Sequence, residues 1–504
     1  MNQKKYLISI DIGTQGTKAA LFDLDMQMLY TAFEKSNLIS PETGIIWQEA
    51  DDLYMSCART VKELMEKSKV APESVVAIGI DGQMAGIMGI DSEGEASTYY
   101  DSWLDMRSGK YLDVLMKAGN DKVVSRSGGQ ICCNHASKII WWKNEHPDIY
   151  EKTAKFVLPH GYVVGKITGT KAEQAYYDYT CLHFNNFSDN KNKGWSKEIL
   201  DACGIDEDKM PRVVSPFEVI GKTTQAFADI SGLVSGIPVT AGAGDTAAST
   251  FGSGMFEEEL VQDIAGTASI MSCVVNGYVP DVEYKTLSLM RSPIDGLWLP
   301  LAYINGGGLC IRWFRDNFTG DPSATYEQLN KEAEGIAEGS EGVIFCPHFS
   351  GRVLPTDDTL KGGFLNLDFK HTRGHLYRSI MEGIAYEYQY YLSIIRKSYP
   401  KCHFNDMIVI GGGANSPIFN KIKADVLGVK VKTFECGDTA LIGSAVIAAI
   451  GAGVFTDYKE PIRKAMKQKA EFMPNKEVTV RYEEMGERYR QMIESTSKLY
   501  KNYK

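Results

Sequence analysis

The sequence has no surplus of basic charge, no long apolar run and no paired cysteine motif. Its 504 residues carry 54 Lys and Arg against 64 Asp and Glu, a net charge of −10. That balance excludes the basic stripe by which proteins hold nucleic acid, but not a small nucleotide gripped by backbone N–H groups. No apolar stretch reaches the ~20 residues of a membrane span. The opening MNQKKYLISIDIG reads straight into a first strand, without a secretory core. Ten cysteines include one adjacent pair, Cys132-Cys133, and no Cys-x-x-Cys. This is the pattern of reduced thiols in a cytoplasmic protein, not of a disulfide frame or zinc site. His135, His160 and His183 lack metal-ligand spacing. The glycine turns near residues 306 and 412 lack the Gly-x-Gly-x-x-Gly spacing, and the Walker pattern is missing.

What is present is an ordinary globular composition, 44% hydrophobic and 23% charged, in a chain too long for one core. YLISIDI (6–12) reads as a short strand ending in Asp11, followed by Gly13-Thr14, Gly16-Thr17-Lys18 and a second apolar run. Half a chain later, LVQDIAGTASIMSCVV (260–275) repeats the design, with Gly266-Thr267 at its turn. Two halves that each open on a hairpin predict a duplicated architecture. VVAIGID (75–81), IPVTAGAG (237–244) and DMIVIGGG (406–413) read as further strands. Residues 375–397 and 440–453 read as helices, and the charged tail from about 458 as helical. Alternating strands and helices predict α/β domains with mixed sheets.

Asp245 stands in AGAGDTAAS among residues with almost no side chain. The small neighbours leave room for ligands. A helix starting at TAAST would aim its N-terminal dipole at the carboxylate and keep it ionised. The plainer alternative is a helix N-cap. Asp11, beside a turn that can cradle phosphate, suits Mg²⁺, which takes one or two carboxylates together with phosphate oxygens and waters. Lys18 is read as a phosphate contact or a solvated hairpin lysine. Ser416 or Asn415 is expected to cap a helix that starts at Pro417. Gln83, Met84, Trp103, Asp105 and Arg107 offer the amide, aromatic, carboxylate and guanidinium groups that hold polyols. Trp103 as core and Asp105–Arg107 as a surface ion pair are the structural alternatives.

Asp11-Ile12-Gly13-Thr14, Gly266-Thr267 and Gly411-Gly412-Gly413-Ala414-Asn415 resemble the two phosphate loops and the adenosine loop of the actin-like ATPase fold. With Gln83-Met84, Trp103-Leu104-Asp105-Met106-Arg107 and Gly244-Asp245, the chain resembles the FGGY family of carbohydrate kinases, nearest its xylulokinase branch, from about residue 4 to about 455. The resemblance implies two actin-like (ribonuclease H-like) domains, each a mixed sheet flanked by helices, with the active-site cleft between them. Residues 1–252 would bind sugar and catalyse, and 253–504 would bind nucleotide and carry the helical tail. It implies ATP-dependent phosphorylation of a ketopentose such as xylulose at a terminal hydroxyl, with Asp245 as general base and Mg²⁺ near Asp11. Gln83, Met84, Trp103, Asp105, Arg107, Asp245 and Thr246 would meet the sugar. Gly13, Thr14, Gly266, Thr267, Gly307, Gly308, Gly411, Gly412, Gly413 and Asn415 would meet ATP. Two departures bear on the acceptor: Met84-Ala85-Gly86 replaces the usual Met-His-Gly, and Gly351-Arg352 shortens a Ser-Gly-Glu-Arg stretch. Another ketose, a polyol or an aldonate such as gluconate is the first alternative, and a non-catalytic ATP-switched regulator the second. A homodimer is a base-rate expectation only.

Overall fold

The computed structural model describes residues 4–320 and 325–502. Two mixed sheets dominate it. The first contains β1 (Tyr6–Ile12), β2 (Gly16–Asp23), β3 (Met28–Lys35), β4 (Val75–Gly82), β5 (Val219–Lys222), β6 (Pro238–Thr240) and β7 (Ala243–Gly244). Their order is β5-β6-β4-β1-β2-β3, with β7 also pairing β4. The hairpin β1–β2 is antiparallel, and β4 runs parallel to β1 with Asp11 opposite Asp81.

The second sheet contains β8 (Leu260–Ala265), β9 (Ser269–Cys273), β10 (Val275–Asn276), β11 (Ser288–Arg291), β12 (Leu297–Ile304), β13 (Asp406–Ile410), β14 (Lys430–Phe434) and β15 (Gln468–Phe472). Its order is β10-β12-β9-β8-β13-β14-β15, with β11 on β12. Again an antiparallel hairpin, β8–β9, has a parallel neighbour, β13. The repeated hairpin read from the sequence is therefore the organising unit of both sheets.

Strand β1 is buried along nearly its whole length, because helices cover both faces of its sheet. Ile8, Ile10 and Ile12 face α1 (Ala50–Ser68) and α2 (Pro159–Thr168). Leu7 faces a layer shared by the two sheets, and the period of two turns Asp11 to that side as well. The shared layer is built on α3 (Asp245–Gly252) and α4 (Thr439–Gly451). These helices approach backbone to backbone: a Cβ on Gly443 would lie 2.0 Å from the Ala248 carbonyl oxygen. The outer face of the second sheet packs on α5 (Arg373–Ser398), α6 (Pro417–Leu427) and α7 (Lys476–Lys501). Ser416 caps α6 by accepting from Phe419 N, with Pro417 in its first turn.

The tail is not wholly helical. Gln468–Phe472 forms the edge strand β15, whose charged residues face solvent while Ala470 and Phe472 turn inward. Among the described residues, no helix is long and apolar enough to cross a membrane.

Candidate active site

Two loci gather the chemistry-bearing residues. The first lies where β1, β4 and β7 end side by side and supplies three carboxylates. Asp11 and Asp81 are cross-strand neighbours, and Gly82 pairs with Gly244, one residue before Asp245. Asp245 is the first residue of α3. Gly244 takes the N-cap position, so the cap reading of Asp245 does not hold. Its Oδ1 accepts instead from Thr246 N at 2.6 Å and from the Thr246 hydroxyl at 3.2 Å.

The electrostatics correct a second expectation. Burial first, and then the charge of Asp11, push the Asp245 carboxyl up to about 7, against the opposing Thr246 hydrogen bonds. The helix terminus therefore does not keep it firmly ionised. Asp11 is pushed up to about 6, chiefly by burial. Burial and the neighbouring Asp11 charge raise Asp81 well above the usual carboxylate range, and Ser444 of α4 donates to its Oδ2 at 2.6 Å. One oxygen each of Asp11 and Asp81 is buried without a protein partner.

Around these acids stands a polar group. Trp103 Nε1 donates to Thr14 Oγ1 at 2.8 Å, Thr14 Oγ1 donates to Gln83 Oε1 at 3.3 Å, and Gln83 Nε2 donates to Gln48 at 2.8 Å. Trp103 is 38% exposed, so it is not core. Met84 packs on Gly244, where a Cβ would lie 2.5 Å from the Met84 methyl. Asp105 and Arg107 form no surface pair. Asp105 is buried and accepts from Ile46 N at 2.8 Å, from Arg107 N at 3.0 Å and from Arg107 Nε. The guanidinium also donates to Tyr99 and Asp101 and lies 4.6 Å from the Trp141 ring centroid. Together with Lys138, which donates to the Ser102 and Asp105 carbonyls, they lock the loop that presents Trp103.

The second locus is a cavity of about 440 Å³ in the second half. Gly266, Thr267, Gly308, Gly412, Gly413 and Asn415 line it, six of the expected nucleotide residues. Gly307 and Gly411 do not line it but allow it to form. A Cβ on Gly307 would collide with Ser269, and one on Gly411, at φ +81°, would lie 2.9 Å from the Ala265 carbonyl oxygen. Gly13 and Thr14 belong to the first locus, where Gly13 N donates to Gly16 O at 3.1 Å across the hairpin turn. The loci are linked by Lys18, which meets Asp438, at the head of α4, at 2.6 Å. Lys18, its side chain 30% exposed, thus pairs with an acid of the second half.

Sequence reading missed Asp81, whose only signal was an acid at the end of a strand. It also missed Arg312, Asn330, Tyr377 and Ser416 in the cavity wall. His135, His160 and His183 are core residues. The Cys132 thiol is pushed up to about 12 by burial, and burial raises Cys133 too.

A model of the N-terminal domain of the FGGY family of carbohydrate kinases matches residues 6–252, and one of its C-terminal domain matches residues 264–452. The chain belongs to the FGGY family of carbohydrate kinases. Among relatives of this FGGY enzyme, the xylulose kinase of Bacillus subtilis is 25% identical over 98% of both chains. Two solved structures from Lactobacillus acidophilus superimpose on it. A xylulose kinase gives a TM-score of 0.90 and a gluconate kinase 0.91, each at 20% identity over 99% of this chain and 100% of the other. The twin sheets are accordingly those of the actin-like ATPase fold.

Proposed function

We propose that the enzyme transfers the γ-phosphoryl group of ATP to a terminal hydroxyl of a ketopentose such as xylulose. The observation that carries this is Asp245: partly exposed, at the head of α3, beside the first glycine turn, with a carboxyl balanced near neutrality. The acceptor lies against the Trp103 face with Gln83, Met84 and Thr246 around it, while Asp105 and Arg107 hold the Trp103 loop. Asp245 accepts the hydroxyl proton as the oxygen bonds to phosphorus and the bond to ADP breaks. Gly266, Thr267, the Gly307–Gly308 backbone and the loop 411–415 receive the nucleotide, with Gly13 and Thr14 facing its phosphates. The unpartnered oxygens of Asp11 and Asp81 are hard donors beside a phosphate turn, a set that fits Mg²⁺ with retained waters. When bound there, the ion neutralises developing phosphate charge. Closing the cleft excludes water as a competing acceptor. The division between the sugar and nucleotide halves falls after residue 252. Ten unpaired thiols and the use of ATP suit the cytoplasm.

A second reading replaces xylulose with an aldonate. Ala85, at φ +61°, stands where the resembling branch has an imidazole, and this removes a hydrogen-bonding group from the acceptor side. ADP release from Mg·ATP across pentuloses, hexuloses, polyols and sugar acids, each beside a no-sugar blank, tests both. Xylulose leading the panel supports the first reading, and gluconate leading supports the second. Bound ATP with no acceptor-dependent ADP release would leave a regulator.

A further inference from the structure

We infer that Thr180, locked by Asp178 and His160, is a positioning residue that sets the aim of Asp245. The inference rests on the reading of Asp245 as general base. All three side chains are fully buried, and none belongs to the expected acceptor or nucleotide sites. Gly244 has no side chain to steer it, and its backbone N–H donates to Thr180 Oγ1 at 3.1 Å. An N–H can only donate, so the threonine oxygen must spend a lone pair there. Its single hydrogen then has one outlet, Asp178 Oδ1, with which it makes a short hydrogen bond. The same Oδ1 accepts from Thr180 N at 2.9 Å. Asp178 Oδ2 faces His160 Nε2 at 2.9 Å, and because the carboxylate accepts, the imidazole carries its proton on Nε2.

The bonds therefore converge on Asp178: His160 donates to it from one side, and from the other Gly244 N–H donates to Thr180, whose hydroxyl in turn donates to Asp178. The network also returns to the strand beneath Asp81. His160 lies on Gly82, where a Cβ would come within 3.0 Å of its Nδ1, and Gly82 pairs with Gly244. A second bond steadies the same segment: Tyr176 donates to the Ala241 carbonyl at 2.7 Å. The backbone that launches Asp245 is thus tied from outside the cleft by groups that touch neither substrate. A base displaced by a fraction of an ångström loses its line to the acceptor hydroxyl, and such misplacement costs turnover while leaving distant binding intact.

The test compares Thr180→Val, which keeps the shape and removes the hydroxyl, with Thr180→Ser, which keeps the hydroxyl. Thr180→Val should lower kcat about tenfold to a hundredfold with the KM for ATP unchanged, and Thr180→Ser should stay within about twofold of wild type. If Thr180→Val does not fold, His160→Met against His160→Gln repeats the comparison. Met removes the donor to Asp178 and should lower kcat several-fold, whereas the Gln amide restores it. Equal losses in Val and Ser, wild-type kcat in Val, or a loss carried by the ATP KM would overturn the inference. Asp245→Asn runs beside them. If it retains turnover, the general-base reading itself fails. If it is inactive while Thr180→Val turns over normally, only the positioning role fails.

Discussion

In the first sheet, the strand before the glycine turn sends Asp11 toward the layer shared by the two sheets. Lys18 is its cross-strand partner on β2 and Asp81 its partner on β4. In the second sheet the corresponding strand carries Ile264, two residues before Gly266, partnered by Ile270 on β9 and Ile410 on β13. One backbone design therefore carries three charged residues in one half and three isoleucines in the other. The second half does possess an acid one residue earlier, but the alternation of the strand turns Asp263 to the opposite face. There Lys423 meets it at 2.5 Å and Tyr388 donates to it at 2.7 Å, all fully buried. The acid facing the shared layer has its pKa raised chiefly by burial, whereas the acid facing the outer core is paired with Lys423. The duplicated hairpin thus gives the two halves different linings: charged side chains toward the shared layer in the first, and a glycine-lined cavity in the second.

The largest effect is expected when the first half is given the neutrality of the second. Asp11→Asn should cut kcat by about three orders of magnitude, as expected when a group that stabilises transferring charge is lost. The variant should also melt higher at pH 7.5. The folded pKa of Asp11 lies above its unfolded value, so ionisation costs the native state stability as pH rises through about 6. A lower melting temperature would show that Asp11 is structural. The mirror experiment is Lys423→Met, which strands Asp263 in the outer core. It should cost about 3–5 kcal/mol in denaturant unfolding, as stranding one member of a buried ion pair does. The kcat of the folded fraction should not change. A catalytic loss would erase the contrast between the two acids.

Gly308→Ala refines the role of the second half. The new Cβ would sit 2.2 Å from the Gly266 carbonyl oxygen and push the two loops apart. The dissociation constant for ATP, read by calorimetry, should rise about tenfold, the equivalent of about 1.4 kcal/mol. The acceptor KM should stay unchanged. The smallest effect is on pH. At saturating Mg·ATP, kcat/KM for the acceptor should climb with pH and level off above about 7, because Asp245 works only when deprotonated. A flat profile from pH 5.5 to 8 would separate Asp245 from proton transfer.

Much of the fold was legible because buried strands announce themselves as short apolar runs closed by glycine or acid. YLISIDI and LVQDIAG revealed both hairpins for this reason. β15 was hidden because only Ala470 and Phe472 of that charged edge strand are inward, too few to show a period of two among lysines and glutamates. In the site, Asp245 stood out by the smallness of its neighbours. Asp81 did not, since its meaning depends on the register of two strands some seventy residues apart in sequence. Trp103 was recognised by type, but not the cage of Asp101, Asp105, Arg107 and Lys138 that holds it, because charge pairing inside a fold has no local signature. The chain from His160 to Gly244 spans three separate segments, so no spacing rule could reveal it.

Whether Asp245 accepts the acceptor's proton is read most simply from ADP release by Asp245→Asn with saturating Mg·ATP and the best acceptor. ATP binding should be measured on the same preparation. Turnover should fall by about two to four orders of magnitude, the usual worth of a general base, while the ATP dissociation constant stays at the wild-type value. Turnover within a few-fold of wild type would mean that Asp245 is not the base.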